Sequence, residues 1–97
     1  MALFALTAID KPDALALRLS VRDAHFAFVR ETGRIKLAGP FLDAAGQMCG
    51  SLMIVEAPDL ATVERWHAED PYVKAGLFAT SDIRSWTPTF NPIEAKL

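Results

Sequence analysis

Cysteine is all but missing from this chain. Cys49 stands alone, so no internal disulfide can form. With only two histidines, His25 and His67, no Cys/His spacing of a zinc site is readable. Nothing puts a base beside Cys49, which reads as inert packing rather than a nucleophile. No apolar run approaches the ~20 residues that span a bilayer. The apolar start, Met1 to Leu6, lacks a basic leader and soon meets Asp10, so it reads as a strand and not a signal peptide. Excess positive charge is also missing. Ten Lys and Arg against 12 Asp and Glu give a formal charge of −2, which excludes the basic footprint of a nucleic-acid binder. A composition of 52% hydrophobic and 23% charged residues excludes a disordered chain. The expectation is a cytoplasmic protein with no membrane contact, no metal and no cofactor, its 97 residues forming a single domain.

The most informative stretch is a helical segment from about Pro12 to Thr32. On a helical wheel of ~100° per residue, Leu15, Leu17, Val21, Phe26, Phe28 and Val29 gather on one arc. Ser20, Asp23, Ala27 and Glu31 take the other. His25 falls in the middle of the apolar arc, with Arg18 and Arg22 within about 60° of it. A titratable ring and two permanent cations therefore face the expected core. Burial of such groups is costly unless they are paired or line a cavity, which makes the three candidates for a site. The structural alternative is a pair of arginines that snorkel to the helix edge beside a histidine with one internal hydrogen bond.

Around this helix the chain reads as βαββαβ. Ala2 to Ile9 is a strand with both faces apolar, so it needs cover on both sides. Asp10 or Asp13 is placed to cap the helix, Pro12 suits its first turn and Gly33 its end. Ile35 to Leu42 is a strand in which Gly39-Pro40 demands an edge position or a bend. Asp43 to Gly46 reads as a hairpin connection. Gln47 to Glu56 is a third strand, again apolar on both faces. Asp59 caps a second helix whose inner face carries Leu60, Val63, Trp66 and His67. Asp70-Pro71 stops that helix, Tyr72 to Gly76 connects, and Leu77 to Trp86 alternates as the last strand. Asn91 to Leu97 is expected to be a loose tail. The predicted fold class is α+β: a ferredoxin-like four-stranded antiparallel sheet with two helices on one face. That leaves an apolar sheet face bare. The economical cover is a second copy, sheet against sheet, in a two-fold homodimer.

Arg18-Leu19-Ser20-Val21-Arg22 with Ala24-His25, then Gly39-Pro40, Gly50-Ser51 and Asp70-Pro71-Tyr72, resemble together the YCII-related (YciI-like) family, from about Leu3 to Phe90. The resemblance implies a dimeric α/β barrel. It also implies an active site in which His25 meets Asp70, and in some members a part in breaking down substituted aromatic compounds.

A His25–Asp70 pair makes chemical sense. The carboxylate fixes the imidazole tautomer, and the imidazole shuttles a proton at neutral pH. The alternative is a structural bond between two helices. Arg18 and Arg22 suit a planar anion such as a carboxylate or phenolate, or else they pair with Asp10, Asp13 or another acid. Ser51 offers a hydroxyl to the cavity or is simply a small residue under a helix. Gly39 and Pro40 shape the wall, and Tyr72 joins the substrate-binding set. His67 reads as a helix-face filler; Trp66, Trp86 and the phenylalanines as core or interface. Two functions follow. One is a cofactor-free enzyme in which the His25–Asp70 dyad drives elimination or isomerisation of a small anionic or aromatic ring metabolite. The other is a non-catalytic dimeric module that binds a small molecule or supports a partner enzyme.

Overall fold

The elements follow one another as β1 (Ala2–Asp10), α1 (Leu15–Thr32), β2 (Ile35–Leu42), β3 (Met48–Ala57), α2 (Leu60–Ala68), α3 (Pro71–Lys74) and β4 (Phe78–Trp86). This is a computed structural model that describes the whole chain, Met1–Leu97. The strands form one antiparallel sheet in the order β2-β3-β1-β4. The fold is ferredoxin-like α+β, as the patterning implied. Pro40 lies in β2 at the sheet edge, where its missing N–H costs least.

Register decides which side chains share a face. Phe4 pairs with Val55, Leu6 with Met53 and Ala8 with Ser51. All six are buried, and with Ala57, Val63 and Trp66 the apolar ones form the core between sheet and helices. The opposite face carries Leu3, Ala5 and Ile9 of β1, Leu52 and Ile54 of β3, Leu37 and Phe41 of β2 and Trp86 of β4. Only Ile54 of these is buried; Ile9, Leu37, Leu52 and Trp86 are exposed.

Five local readings need correction. Neither Asp10 nor Asp13 caps α1: its N-cap is Ala14, with no side-chain bond. Asp10 is drawn instead to a buried cation on α1, and Asp13 sits at φ 56° in the turn before the helix. The apolar arc of α1 is not its buried stripe. Only Arg18 and His25 of the helix are buried, while Leu17 and Phe26 are exposed. Leu60 points outward at 43% exposure, whereas Val63 and Trp66 of the same helix are buried. Residues Tyr72 to Gly76 are not an irregular connector, for Pro71–Lys74 makes one helical turn capped by Asp70. The last strand starts at Phe78, with Leu77 fully buried before it. The tail carries no helix or strand. It closes a turn in which the Asn91 side chain accepts from Ala95 N–H and donates to the Ala95 carbonyl.

Two glycines are required. Gly33 ends α1 at φ 64°, its N–H returning to the Val29 carbonyl, a left-handed cap that suits glycine. At Gly50 an added Cβ would lie 2.5 Å from the Ala8 carbonyl oxygen and 3.0 Å from the Phe41 ring. Backbone oxygen cannot swing away, so β1 and β3 would have to part beside Ser51. Gly50→Ala should therefore lower the unfolding free energy by about 1–3 kcal/mol, the usual cost of overpacking, read from urea unfolding. A change below about 0.5 kcal/mol would mean that the strands tolerate the displacement.

Candidate active site

The site begins with a short helical turn. Pro71 at the first helical position holds Asp70 extended, at φ −61° and ψ 128°, because the residue before proline avoids the helical region. The Asp70 carboxylate can then fold back, and its Oδ1 accepts the Tyr72 N–H at 2.9 Å. The same oxygen meets His25 Nδ1 of α1 at 2.8 Å. Asp70 has no exposed surface and His25 retains 7%. The two expected partners thus meet directly, with the carboxylate behind and the ring in front. An ionised Asp70 accepts only, so it fixes the proton on Nδ1 and leaves Nε2 as the free base. No protein group bonds Nε2.

Tyr72 is the next layer. Its ring stacks on His25 with centroids 4.0 Å apart and 14° between planes. Arg18 Cζ lies 4.9 Å from the centre of the Tyr72 ring. Burial pushes the Tyr72 hydroxyl up from its ordinary range, against the opposing pull of Arg18 and Arg22. It is therefore a neutral group at physiological pH.

Arg18 is 3% exposed and takes the paired alternative. Its Nε donates to Asp10 Oδ2 at 2.8 Å and its Nη2 to Asp10 Oδ1 at 2.9 Å. Nη2 also donates to Ser51 Oγ at 2.9 Å, so Ser51 helps hold the guanidinium. Burial works to lower the Arg18 pKa, but the hydrogen bond and charge of Asp10 outweigh it and the net direction is up. Arg22 differs. It is exposed, it bonds no acid, and its Cζ lies 5.2 Å over the Phe26 ring.

These groups surround a cavity of about 140 Å³ lined by Arg18, Arg22, His25, Ser51, Tyr72 and Phe26, with Gly39-Pro40, Ala38 and methionines of β3 closing it. A void of about 150 Å³ accepts a benzene ring, so the space suits one ring and little more. All eight residues named from sequence border this cavity or, for Asp70, stand directly behind it. A second, wider groove between Phe28, Arg34, Arg65, Trp66 and Glu69 is shallow and contains no histidine. No cluster of His, Cys, Asp or Glu able to hold a metal ion is found.

Sequence reasoning missed two neighbours. Phe26, expected in the core or an interface, forms the cavity mouth with Arg22. Their i, i+4 spacing on one helix was the available signal. His67, expected as a helix-face filler, has its Nε2 2.9 Å from Ser81 Oγ. Burial lowers its pKa first, the charge of Asp70 raises it, and His25 lowers it again. Its position three residues before Asp70, across a helix end, was the only sequence hint.

Fold and site define a ferredoxin-like α+β domain with a buried His–Asp pair behind a one-ring cavity. More particularly, the chain belongs to the YCII-related family, whose domain matches residues 2–87. It is 35% identical to "Protein YciI" of Escherichia coli O6:H1, over 91% of this chain and 99% of that protein. A solved structure of 5-chloro-2-hydroxyhydroquinone dehydrochlorinase from Burkholderia phenoliruptrix, in complex with 2,5-dihydroxybenzoquinone, is 33% identical. It superposes with a TM-score of 0.82, covering 88% of this chain and 93% of that one. A NIPSNAP family protein from Agrobacterium tumefaciens shares the fold alone, at 19% identity and a TM-score of 0.57 over 94% of this chain and 96% of that one.

Asp10 tests the electrostatic frame. Asp10→Ala leaves Arg18 charged in the interior and should cost about 3 kcal/mol or more of stability in urea unfolding. Arg22→Ala, at the exposed mouth, should cost less than about 0.5 kcal/mol.

Proposed function

We propose that the protein is a cofactor-free enzyme that uses His25 as general acid/base on a small aromatic or anionic ring metabolite. One observation carries the reading: His25 Nδ1 is held at 2.8 Å by a fully buried carboxylate, while the rest of the ring borders a cavity sized for one ring. A carboxylate shielded from water keeps the imidazole in one tautomer and offsets the charge that forms when Nε2 takes a proton. The likeness to a dehydrochlorinase bound to a dihydroxybenzoquinone supports a hydroxylated or quinoid ring as the substrate class.

In the elimination we envisage, Nε2 accepts one proton from the substrate. The electrons of the broken bond shift into the ring, and the leaving group departs with the pair of its own bond. Isomerisation uses the same group twice, first as base and then as acid. Arg22 is unpaired at the mouth and suits the phenolate or carboxylate of the incoming ring. Arg18, held by Asp10, adds a fixed cation to the cavity wall beside Tyr72. Tyr72 and Phe26 give the ring apolar surface, and Gly39-Pro40 limits its size.

We further propose that two copies pair through the open sheet face in a homodimer, located in the cytoplasm. Leu3, Leu37, Leu52 and Trp86 supply its apolar centre. Lys36–Glu56 at 3.7 Å and Arg84–Asp82 at 2.7 Å supply a charged rim. Such a centre within a polar rim is the pattern of a specific interface. No helix is long and apolar enough to cross a membrane.

Ligand binding raises stability by mass action. Single-ring hydroxyquinols, quinones and aromatic acids should therefore raise Tm, while two-ring compounds should not. For a substrate found this way, His25→Gln should fold and lose ~10²-fold or more of turnover, the usual contribution of a general acid/base. A His25→Gln variant that keeps full turnover would reduce the pair to a structural tie and leave a binding module. The dimer is checked by sedimentation at micromolar concentration, with an expected buried area above about 1,000 Å². Leu52→Arg on the open face should yield monomers, and a wild-type monomer would remove the interface.

A further inference from the structure

Two buried polar atoms in this protein have no hydrogen-bond partner: Asp70 Oδ2 and His67 Nδ1. Unpaired buried groups are rare and costly, and here both occur at one helix end. Asp70 N–H donates to the His67 carbonyl at 3.0 Å, so the two residues share a turn. The charges of Asp70 and His25 both act on the His67 ring. His67 stacks on Phe78 with centroids 5.9 Å apart, and Phe78 meets the Tyr72 ring edge-on at 5.8 Å. The rings of His25, Tyr72, Phe78 and His67 thus form a continuous series of contacts.

We infer that His67 is a positioning residue for the His25–Asp70 pair, its Nδ1–H reaching Asp70 Oδ2 through one buried water. A polar site between two unsatisfied groups is where such waters are retained. Burial keeps the His67 ring neutral, so one nitrogen donates and the other accepts. The nearby carboxylate draws the proton to Nδ1, and Nε2 then accepts from the Ser81 hydroxyl at 2.9 Å. Each carboxylate oxygen of Asp70 thereby answers to a different imidazole, Oδ1 to His25 and Oδ2 to His67. The bonds converge on Asp70, from the exposed Ser81 hydroxyl on β4 by way of His67 on one side and from His25 Nδ1–H on the other, which leaves the Nε2 of His25 free in the cavity. His67 contacts no substrate in this arrangement. It shares the charge of Asp70 and so sets how strongly Asp70 holds the His25 Nδ1–H.

The inference rests on the acid–base reading of His25 and Asp70, but its test needs no substrate, so the two can fail separately. Long-range 1H–15N spectra of the wild-type protein should show His67 with its proton on Nδ1; an Nε2–H ring overturns the inference. Three variants then compare the His25 Nδ1 proton. His67→Phe removes both nitrogens and should move that proton downfield, since Asp70 loses the donor to Oδ2. His67→Asn keeps an amide donor near the Nδ1 position and should restore the wild-type resonance. His67→Gln keeps a group near the Nε2 position and should behave like His67→Phe. If His67→Phe fails to fold, the Asn and Gln variants decide alone. An unmoved His25 proton in every folded variant, or rescue by Gln and not by Asn, shows that only the Ser81 tie matters and overturns the inference.

Discussion

A carboxylate with no exposure to bulk solvent must be paired, and Asp70 organises this structure because it is such a group. An isolated buried charge costs far more than one hydrogen bond returns. The chain meets that cost locally, through the Tyr72 N–H, and across the fold, through His25 Nδ1. The second of these contacts joins two segments 45 residues apart in sequence. It ties α1 to the α2–α3 junction and so fixes how the long helix lies on the sheet.

The Arg18–Asp10 pair repeats the arrangement with the signs reversed. Asp10 stands where the pairing of β1 with β4 shifts register, and the irregularity frees its side chain to turn toward α1. Arg18 Nη2 reaches on to Ser51 of β3, so β1, α1 and β3 are bound by one guanidinium. Between the two charged pairs lies the Tyr72 ring, in contact with both His25 and Arg18. The interior of α1 is thus held by charge and stacking more than by aliphatic packing. This accounts for apolar residues such as Leu17 and Phe26 at its surface. It also separates the two arginines that sequence had grouped: Arg18 is committed to the frame, and Arg22 is free at the cavity mouth.

The fold was legible because it depends on local signals. Both faces of β1 are apolar, Gly39-Pro40 demanded an edge or a bend, and Asp70-Pro71 ended a helix; each left few physical readings. Site membership was legible for a related reason, since His25 on an apolar arc is a conflict that only a partner or a cavity resolves. The misread parts are those where two local options were close in energy. Asp10 was a sound cap for α1, but a buried cation one helical turn further on was the stronger partner. Tyr72 to Gly76 is too short to show periodicity, so its helical turn was hidden until the Asp70 cap was seen.

Besides the family resemblance, which supplied the pairing of His25 with Asp70, the sequence by itself determined the order of the four strands and two longer helices, the interruption of β2 at Gly39-Pro40, and His25 as a polar group set on an apolar arc. These follow from periodicity, from proline and glycine chemistry, and from charged groups set among apolar ones. Only the tertiary structure decided which arginine is tied and which is free, that the cavity measures about 140 Å³, and that His67 shares a turn with Asp70. Such facts depend on distances between segments far apart in the chain. Residue order alone does not encode which of several available acids and bases will meet once the sheet and helices have packed.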